Sequence, residues 1–281
     1  MTGRRTGMGL GDLVELVRGP AALTVPGDTL AGGAAGPGPA AASVCLYWAG
    51  MALNDYADRD LDAVERPERP IPSGRVTPGQ ALALAVGLTG AGLVLAARAR
   101  VLRTALPLTA AIWAYDVKLK DTPLGPATMA AARGLDVLLA GRPGARRAAA
   151  AVAAHTYGVT LLSRGEVVGG SASRSAGALA ATGVAAVLGA SAPAAAPART
   201  GRTLVRWGLT AGYAALVGRA QVRAALRGDA AATRAAVGES ILGILPLQAA
   251  LTAREGPLYR AAVPVALYAP GRWLSRRVSA T

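Results

Sequence analysis

Phenylalanine is absent from this 281-residue chain, and cysteine and histidine occur once each. The single cysteine, Cys45, excludes an internal disulfide and reads as a small apolar packing residue. No zinc-ligand spacing, phosphate-binding glycine loop or Ser-His-Asp motif is present. Charge is also scarce. Charged residues make up 16% of the chain, where a soluble domain usually has about 25%. Acids are the scarcer sign, 16 against 30 Lys and Arg, for a net charge of +14. Residues 1–18 lack the continuous apolar core that a signal peptide needs.

What is abundant is apolar. Hydrophobic residues make up 52% of the sequence. Mean hydropathy is only +0.36, because alanine and glycine supply much of that count. The arginines are scattered singly and in pairs between apolar runs rather than gathered on one polar domain. That pattern excludes a nucleic-acid-binding class and suits anionic lipid head groups. The expected fold is all-α, a polytopic integral-membrane helical bundle of about nine to ten spans. Residues 1–18 form an N-terminal interfacial segment, with a short amphipathic helix over 8–18. Residues 19–281 form a single transmembrane domain. Spans are expected near 20–36, 38–54, 78–97, 102–116, 125–141, 147–163, 175–195, 203–220, 235–252 and 257–273, several of them short of the roughly 20 residues a crossing needs. More than half of the basic residues fall on one side of this arrangement. That places the loops around 55–77, Lys118–Lys120 and Arg164–Arg174 together on the cytoplasmic face.

Against this background the acids are unevenly placed. Six of the 16 fall within fourteen residues: Asp55, Asp58, Asp60, Asp62, Glu65 and Glu68. They follow the apolar run Ala41–Leu53. At about 100° per residue on a helix, Asp55, Asp58 and Asp62 share one face and Asp60 points nearly opposite. Carboxylates so placed repel one another. A hard divalent cation relieves that repulsion, and oxygen donors suit Mg²⁺, which often holds substrate phosphates as well. A solvated helix end using the pairs Asp55–Arg59 and Asp62–Arg66 is the other reading. Beside a membrane segment, where ionisable groups are costly, the metal reading is preferred. The following loop holds three prolines in six residues, Pro67, Pro70 and Pro72. They stiffen it, and its arginines can make two-pronged contacts to phosphate.

The pattern Asn54-Asp55-x-x-Asp58-x-x-x-Asp62, followed by Arg69-Pro70-Ile71-Pro72-Ser73-Gly74, resembles the first signature of the UbiA superfamily of intramembrane prenyltransferases. Tyr115-Asp116-Val117-Lys118-Leu119-Lys120-Asp121-Thr122-Pro123-Leu124-Gly125 is similar to the family's Y-S-x-x-x-K-R-x-T-x-x-G stretch. Tyr115 and Lys120 match, Asp116 stands where Ser is usual, and Asp121 where Arg is common. The family's second acidic motif, D-x-x-x-D, is reduced here to Ser163-Arg164-Gly165-Glu166, with Glu166 its one carboxylate. Together with Pro26-Gly27-Asp28 and Arg133-Gly134-Leu135-Asp136, these segments resemble the EboC-like branch. The resemblance covers about residues 15–275. It implies a helical bundle of UbiA prenyltransferase type around a cavity open to lipid. It also implies a Mg²⁺-assisted ionisation of a prenyl diphosphate, with transfer to an aromatic or lipid-like acceptor.

Under that resemblance Asp55, Asp58, Asp62 and Glu166 are the expected metal ligands, and Lys120 joins the three aspartates in the catalytic set. Asn54, Arg69, Tyr115, Lys118 and Arg164 are expected to bind substrate. The reduced second motif supports an alternative: a divergent UbiA-like membrane protein that binds or transports an isoprenoid or other lipophilic precursor without turnover. Tyr47, Trp48, Trp113, Tyr115 and Tyr157 fall on the motif side, as interface or packing aromatics or as faces for a carbocation. His155 reads as a satisfied core histidine. Arg133 and Asp136, i,i+3 on one span, read as an internal ion pair. Asp28 and Glu239 are expected to line a cavity.

Overall fold

A computed structural model describes residues 8–18, 24–166, 169–191 and 200–275. Among them no strand occurs. Two short helices come first, α1 (Leu10–Leu16) and α2 (Pro26–Ala31). Then follow α3 (Pro37–Ala57), α4 (Arg59–Glu65), α5 (Pro78–Arg98) and α6 (Leu102–Ala114), which runs into a π-helical turn at Tyr115–Leu119. The second half holds α7 (Gly125–Leu138), α8 (Ala145–Ser163), α9 (Ala172–Ala190), α10 (Thr200–Arg227), α11 (Ala230–Glu255) and α12 (Leu258–Ser275).

The helix ends follow local chemistry. Proline opens α3 and α5, where its missing N–H costs nothing. Thr77 and Gln80 cap α5 reciprocally. The Gln80 amide donates to Thr77 Oγ1 at 3.2 Å, and the Thr77 amide to Gln80 Oε1 at 2.9 Å. Between α10 and α11, Gly228 takes φ +69°, which glycine adopts without strain. Asp229 then accepts from the Ala232 amide at 2.6 Å.

Helices adjacent in sequence pack side by side, α3 on α5 and then α7 through α12 in series. Their interfaces use small side chains, as membrane bundles do. Gly158 lies against Ala178 and Ala181, and Gly134 against Ala149 and Ala153. Pro78–Arg98 and Ala230–Arg254 are each long and apolar enough by themselves to cross a membrane.

Nine of the ten expected spans have a long helix. The first does not, and the expected helix over 20–36 is corrected by the structure. Its described part holds only the six residues of α2, about 9 Å of helix at 1.5 Å per residue. Residues 20–23, and 192–195 of a later span, lie outside the described residues. Arg18 and the described residues 24–36 nevertheless reach opposite ends of the bundle. Arg18 donates to Asn54 and Asp55 at the end of α3. Gly32 lies against Val137 and Ala140 at the far end of α7, and the Ala34 carbonyl accepts from Arg260 at 2.9 Å. Between them α2 touches α3, α7, α8, α11 and α12. Irregular backbone at membrane depth is tolerated only where protein encloses it, and Gly27, Asp28, Thr29 and Ala31 are buried.

That enclosure is tight at Gly32. A Cβ there would stand 2.3 Å from the Val137 carbonyl oxygen and 2.6 Å from Ala140 Cβ. Gly183 has nothing within 4 Å of the same position. Gly32→Ala is therefore expected to cost about 1–3 kcal/mol by overpacking, and Gly183→Ala to stabilise slightly by helix propensity. Thermal unfolding of the two variants in detergent checks this, and equal melting temperatures would refute the seating of α2.

Candidate active site

The acidic stretch does not continue one helix. α3 ends at Ala57, and Asp58 sits in the bridge region at φ −89°, ψ 1° before α4 begins. Asp55 and Asp62 still meet. Both are buried, and they converge on a single guanidinium nitrogen. Arg69 Nη1 lies 2.7 Å from Asp62 Oδ2 and 3.5 Å from Asp55 Oδ1. Arg66 approaches Asp62 at 3.8 Å, and Arg18 reaches Asp55 at 3.3 Å and Asn54 at 3.2 Å. The bend turns Asp58 away from this pair towards Lys120, with which it forms a salt bridge. Asp60 points outward, its side chain 88% exposed. Glu65 and Glu68 are exposed as well.

The π-helical turn decides what the next loop presents. Asp116 faces inward, buried, and accepts from Asn54 Nδ2 at 3.5 Å. Tyr115 lines the cavity beside it. Val117 and Lys118 are exposed on the other side, so the structure leaves Lys118 out of the group that it brings together. The tight approach of α3 to this turn depends on Gly50. A Cβ there would meet Ile112 at 2.9 Å and Asp116 at 3.5 Å.

Arg164 is directed at backbone rather than into the cavity. Its guanidinium donates to the carbonyls of Thr122 and, at 3.2 Å, Lys120. It thereby holds the loop that carries Lys120. Arg174 in turn donates to the Arg164 carbonyl at 3.2 Å. Lys120, Asp121, Arg164 and Arg174 surround a polar recess of about 340 Å³ at this end. The Glu166 carbonyl accepts from Arg234 at 2.7 Å. Partial burial pushes the Glu166 carboxyl above its usual range, opposed by the charges of Arg234 and Arg66. Arg66, the partner of Asp62, is thus within electrostatic reach of Glu166. Among the described residues no three carboxylates stand close enough to form a ready metal cluster. Basic side chains neutralise them instead.

Below this mouth lies a cavity of about 280 Å³. Arg18, Tyr115 and Asp116 stand at its upper end, and Leu46, Met51, Leu108, Ile112, Met129 and Ile244 form apolar walls. Its floor is polar again, with Ser43, Arg133, Asp136 and His155. The expected Arg133–Asp136 ion pair is corrected here. Arg133 pairs with Asp28 at 3.0 Å, and Asp136 accepts from Ser43 at 2.8 Å. Gln248 donates to Asp28 at 2.7 Å. Asp28 is fully buried behind the floor. Glu239 is not in the cavity at all. It pairs with Arg223 at 3.5 Å between exposed faces of α10 and α11. His155 is held by the Tyr213 hydroxyl at 3.0 Å, with the rings edge to face. Of the aromatics, Tyr47 and Tyr115 line the cavity, while Trp113 donates to Thr89 at 3.2 Å.

The model of the UbiA prenyltransferase family matches residues 38–237. The chain belongs to this family. UbiA proteins are integral to membranes, and members generally use Mg²⁺. A digeranylgeranylglyceryl phosphate synthase of Methanopyrus kandleri is 43% identical over 86 residues, 30% of this chain and 31% of that protein. One of Halobacterium salinarum is 39% identical over 127 residues, 42% of this chain and 46% of that protein. The chain thus spans about a third to a half of the length of these relatives. The apo structure of a UbiA homolog from Aeropyrum pernix K1 superposes with a TM-score of 0.61 at 19% identity, covering 95% of this chain and 98% of that one. A structure concerned with digeranylgeranylglyceryl phosphate synthase in membranes gives a TM-score of 0.63 at 15% identity, covering 88% and 98%. At these identities the likeness is one of UbiA fold.

Three residues at this end were not singled out as site residues by the sequence reading: Arg18, Asp116 and Arg234. Asp116 carried a signal, as a carboxylate where the family pattern has Ser. Arg18 and Arg234 carried none, since nothing local distinguishes them from other surface arginines. Arg69 is expected to matter for stability, because it neutralises two buried carboxylates. Removing one partner of such a pair costs about 3–5 kcal/mol. Arg75, which joins Asp12 and Glu15 near the surface, is worth about 1 kcal/mol or less. Chemical or thermal unfolding of Arg69→Gln and Arg75→Gln should therefore differ clearly, and similar losses would contradict the burial of the Asp55–Arg69–Asp62 group.

Proposed function

We propose that this protein is a Mg²⁺-dependent membrane prenyltransferase. It moves an isoprenyl group from a prenyl diphosphate to a lipophilic acceptor, aromatic or lipid-like. One observation carries the reading: buried, oxygen-rich Asp55 and Asp62 converge on one cationic nitrogen at the mouth of an apolar cavity. Arg69 Nη1 stands where two carboxylates meet, a position whose chemistry suits a hard cation equally well. Asp55, Asp58 and Asp62, with Glu166 from the opposite loop, would hold Mg²⁺, and Asn54 and Asp116 add oxygen donors. When bound, the metal offsets negative charge on the diphosphate and its leaving oxygen.

The chain's own residues supply the rest. Lys120 and Arg69 grip the diphosphate, Arg18 adds a third cation from the N-terminal segment, and Arg164 positions Lys120 through the loop backbone. As the C–O bond breaks, these N–H donors stabilise charge on the departing oxygen. Leu46, Met51 and Ile112 keep water from the allylic cation, and the faces of Tyr47 and Tyr115 stabilise it. On this reading the described part of the N-terminal segment, residues 8–18, is interfacial, the described residues from 24 to 275 belong to the membrane domain, and the motif loops face the cytoplasm, on the side with most basic residues; residues 1–7 lie outside the described residues. Placement within the EboC-like branch rests on the segments that hold Asp28, Arg133 and Asp136, of which Arg133 and Asp136 line the cavity floor and Asp28 pairs with Arg133 behind it.

The divergent alternative, binding or transport without turnover, is favoured by one feature. Glu166 is the only carboxylate of the second motif, and its neighbours Arg66 and Arg234 already offset its charge. Diphosphate release from labelled C10, C15 and C20 prenyl diphosphates, with Mg²⁺ or with chelator, separates the two. Asp58→Asn is expected to abolish Mg²⁺-dependent release in a folded protein, and Lys118→Ala to retain at least a third of it. Unchanged turnover in Asp58→Asn would sink the catalytic assignment, and tight donor binding without release by the unaltered protein would favour the alternative.

A further inference from the structure

The end of the bundle opposite the mouth has a different charge pattern. The mouth mixes acids with bases, whereas the connections at the far end are almost purely basic. Residues 98–103, 141–147, 192–206 and 254–260 hold eleven arginines and a single acid, Glu255. Tertiary contacts draw these connections together. Gly141 lies against Val101, Arg147 Nη1 donates to Ser191 Oγ at 3.2 Å, and Arg260 donates to the Ala34 carbonyl. Like charges gathered in this way attract an anion.

One of these arginines does not stand at the surface. Arg206 is 4% exposed. It shares the inward face of α10 with Thr210, Tyr213 and Val217, all buried and spaced three or four residues apart. Thr210 Oγ1 donates to the Arg206 carbonyl at 2.9 Å, and it lies 3.3 Å from where a Cβ on Gly189 would stand. Leu209 packs against Ala249, Ala253 and Ala261. Arg206 is therefore enclosed beside the last turns of α9 and α11. Among the described residues no carboxylate pairs with it, and its enclosed Nε has no acceptor. The mouth shows the ordinary remedy for such a group, since Arg69 there meets two carboxylates. A guanidinium so far out of water is costly without a counter-ion, and within a membrane bundle such a group marks a functional site.

The surroundings select the anion. Trp207, the next residue, is 54% exposed and donates to the Ala190 carbonyl at 3.2 Å, as a tryptophan at a membrane interface does. Val187 and Val184 lie about one and two turns deeper on α9, and both are exposed. A free phosphate has no use for that apolar track. A phospholipid has, because its phosphate stays at the head-group level while its acyl chains run down the helices. A zwitterionic head group brings its own cation among these arginines, and an anionic one does not. We propose that Arg206 seats the phosphate of an anionic phospholipid, with an acyl chain along Val187 and Val184. Arg147, held at Ser191, brings a second cation to the end of α9. This seat lies at the opposite end of the bundle from the prenyl diphosphate, and it stands whether or not the protein turns over.

Thermal unfolding of the full chain in detergent, with phosphatidylglycerol, phosphatidylcholine or inorganic phosphate added, tests this. Only phosphatidylglycerol is expected to raise the melting temperature. Arg206→Met should melt higher than the unaltered protein without lipid, because it removes an unbalanced buried charge, and should lose the response to phosphatidylglycerol. Arg103→Gln, at the same end, should keep that response. A phosphatidylglycerol response retained in Arg206→Met would overturn the proposal. So would a lower melting temperature of that variant without lipid, the mark of a guanidinium satisfied within the protein. Equal stabilisation by phosphatidylcholine or by inorganic phosphate would overturn it as well, in favour of a general lipid contact or a soluble anion. Location is read separately in nanodiscs. Acyl-brominated phosphatidylglycerol is expected to quench tryptophan fluorescence at least twofold more than brominated phosphatidylcholine, and Trp207→Tyr to remove the difference. A difference that survives in Trp207→Tyr would place the lipid elsewhere and overturn the seat, even if Arg206→Met does not fold.

Discussion

Two buried carboxylates sharing one guanidinium set the terms for the rest of this molecule. Asp55 and Asp62 cannot stay charged at the end of an apolar bundle unless cations come to them. Those cations come from separate parts of the chain. Arg69 comes from the proline-stiffened loop and Arg18 from the segment after α1, while Lys120 meets Asp58 from beyond the π-helical turn. Each pairing ties a loop to the mouth. Arg164 then fixes the Lys120 loop through its carbonyls, and Arg234 fixes the loop of Glu166. Charge neutralisation thus gathers the polar loops at one end, and it leaves that end rich in both oxygen donors and cations.

The cavity beneath has the opposite chemistry for most of its length and then reverses. Its walls are Leu, Ile and Met, but its floor is Ser43, Arg133 and Asp136. The short, enclosed α2 explains how polar groups come to be there. A six-residue α2 leaves backbone and side-chain polar atoms at membrane depth, and these need partners within the protein. Gln248 donates both to the Thr24 carbonyl and to Asp28, and Arg133 pairs with Asp28. The network that satisfies the polar groups around α2 also faces the cavity through Arg133 and Asp136.

The all-helical bundle, long helices at nine of the expected positions and the outward direction of Asp60 were legible in the chain, whereas the helix break that parts Asp58 from Asp55 and Asp62 was not. They follow from local quantities: run length, helical period and the scarcity of acids. The expected helix over 20–36 was too long because its apolar composition resembles a full span, while Pro26 can only open a helix and the described helix stops at Ala31, before the tight enclosure at Gly32. The Arg133–Asp136 pair was misread for a related reason. An i,i+3 spacing permits the contact, but Asp28 arrives from a distant segment and takes the guanidinium. Lys118 was expected beside Lys120 at the substrate, but the π-helical turn directs Lys118 outward while Lys120 meets Asp58.

What the sequence alone determined is therefore the class of molecule and the chemistry gathered at its mouth, because hydrophobic period and charge spacing are properties of neighbouring residues. What only the tertiary structure decided is which cation meets which carboxylate, and that the cavity has a polar floor. Those outcomes depend on side chains far apart in the chain competing for the same few buried partners, and sequence spacing carries no record of that competition.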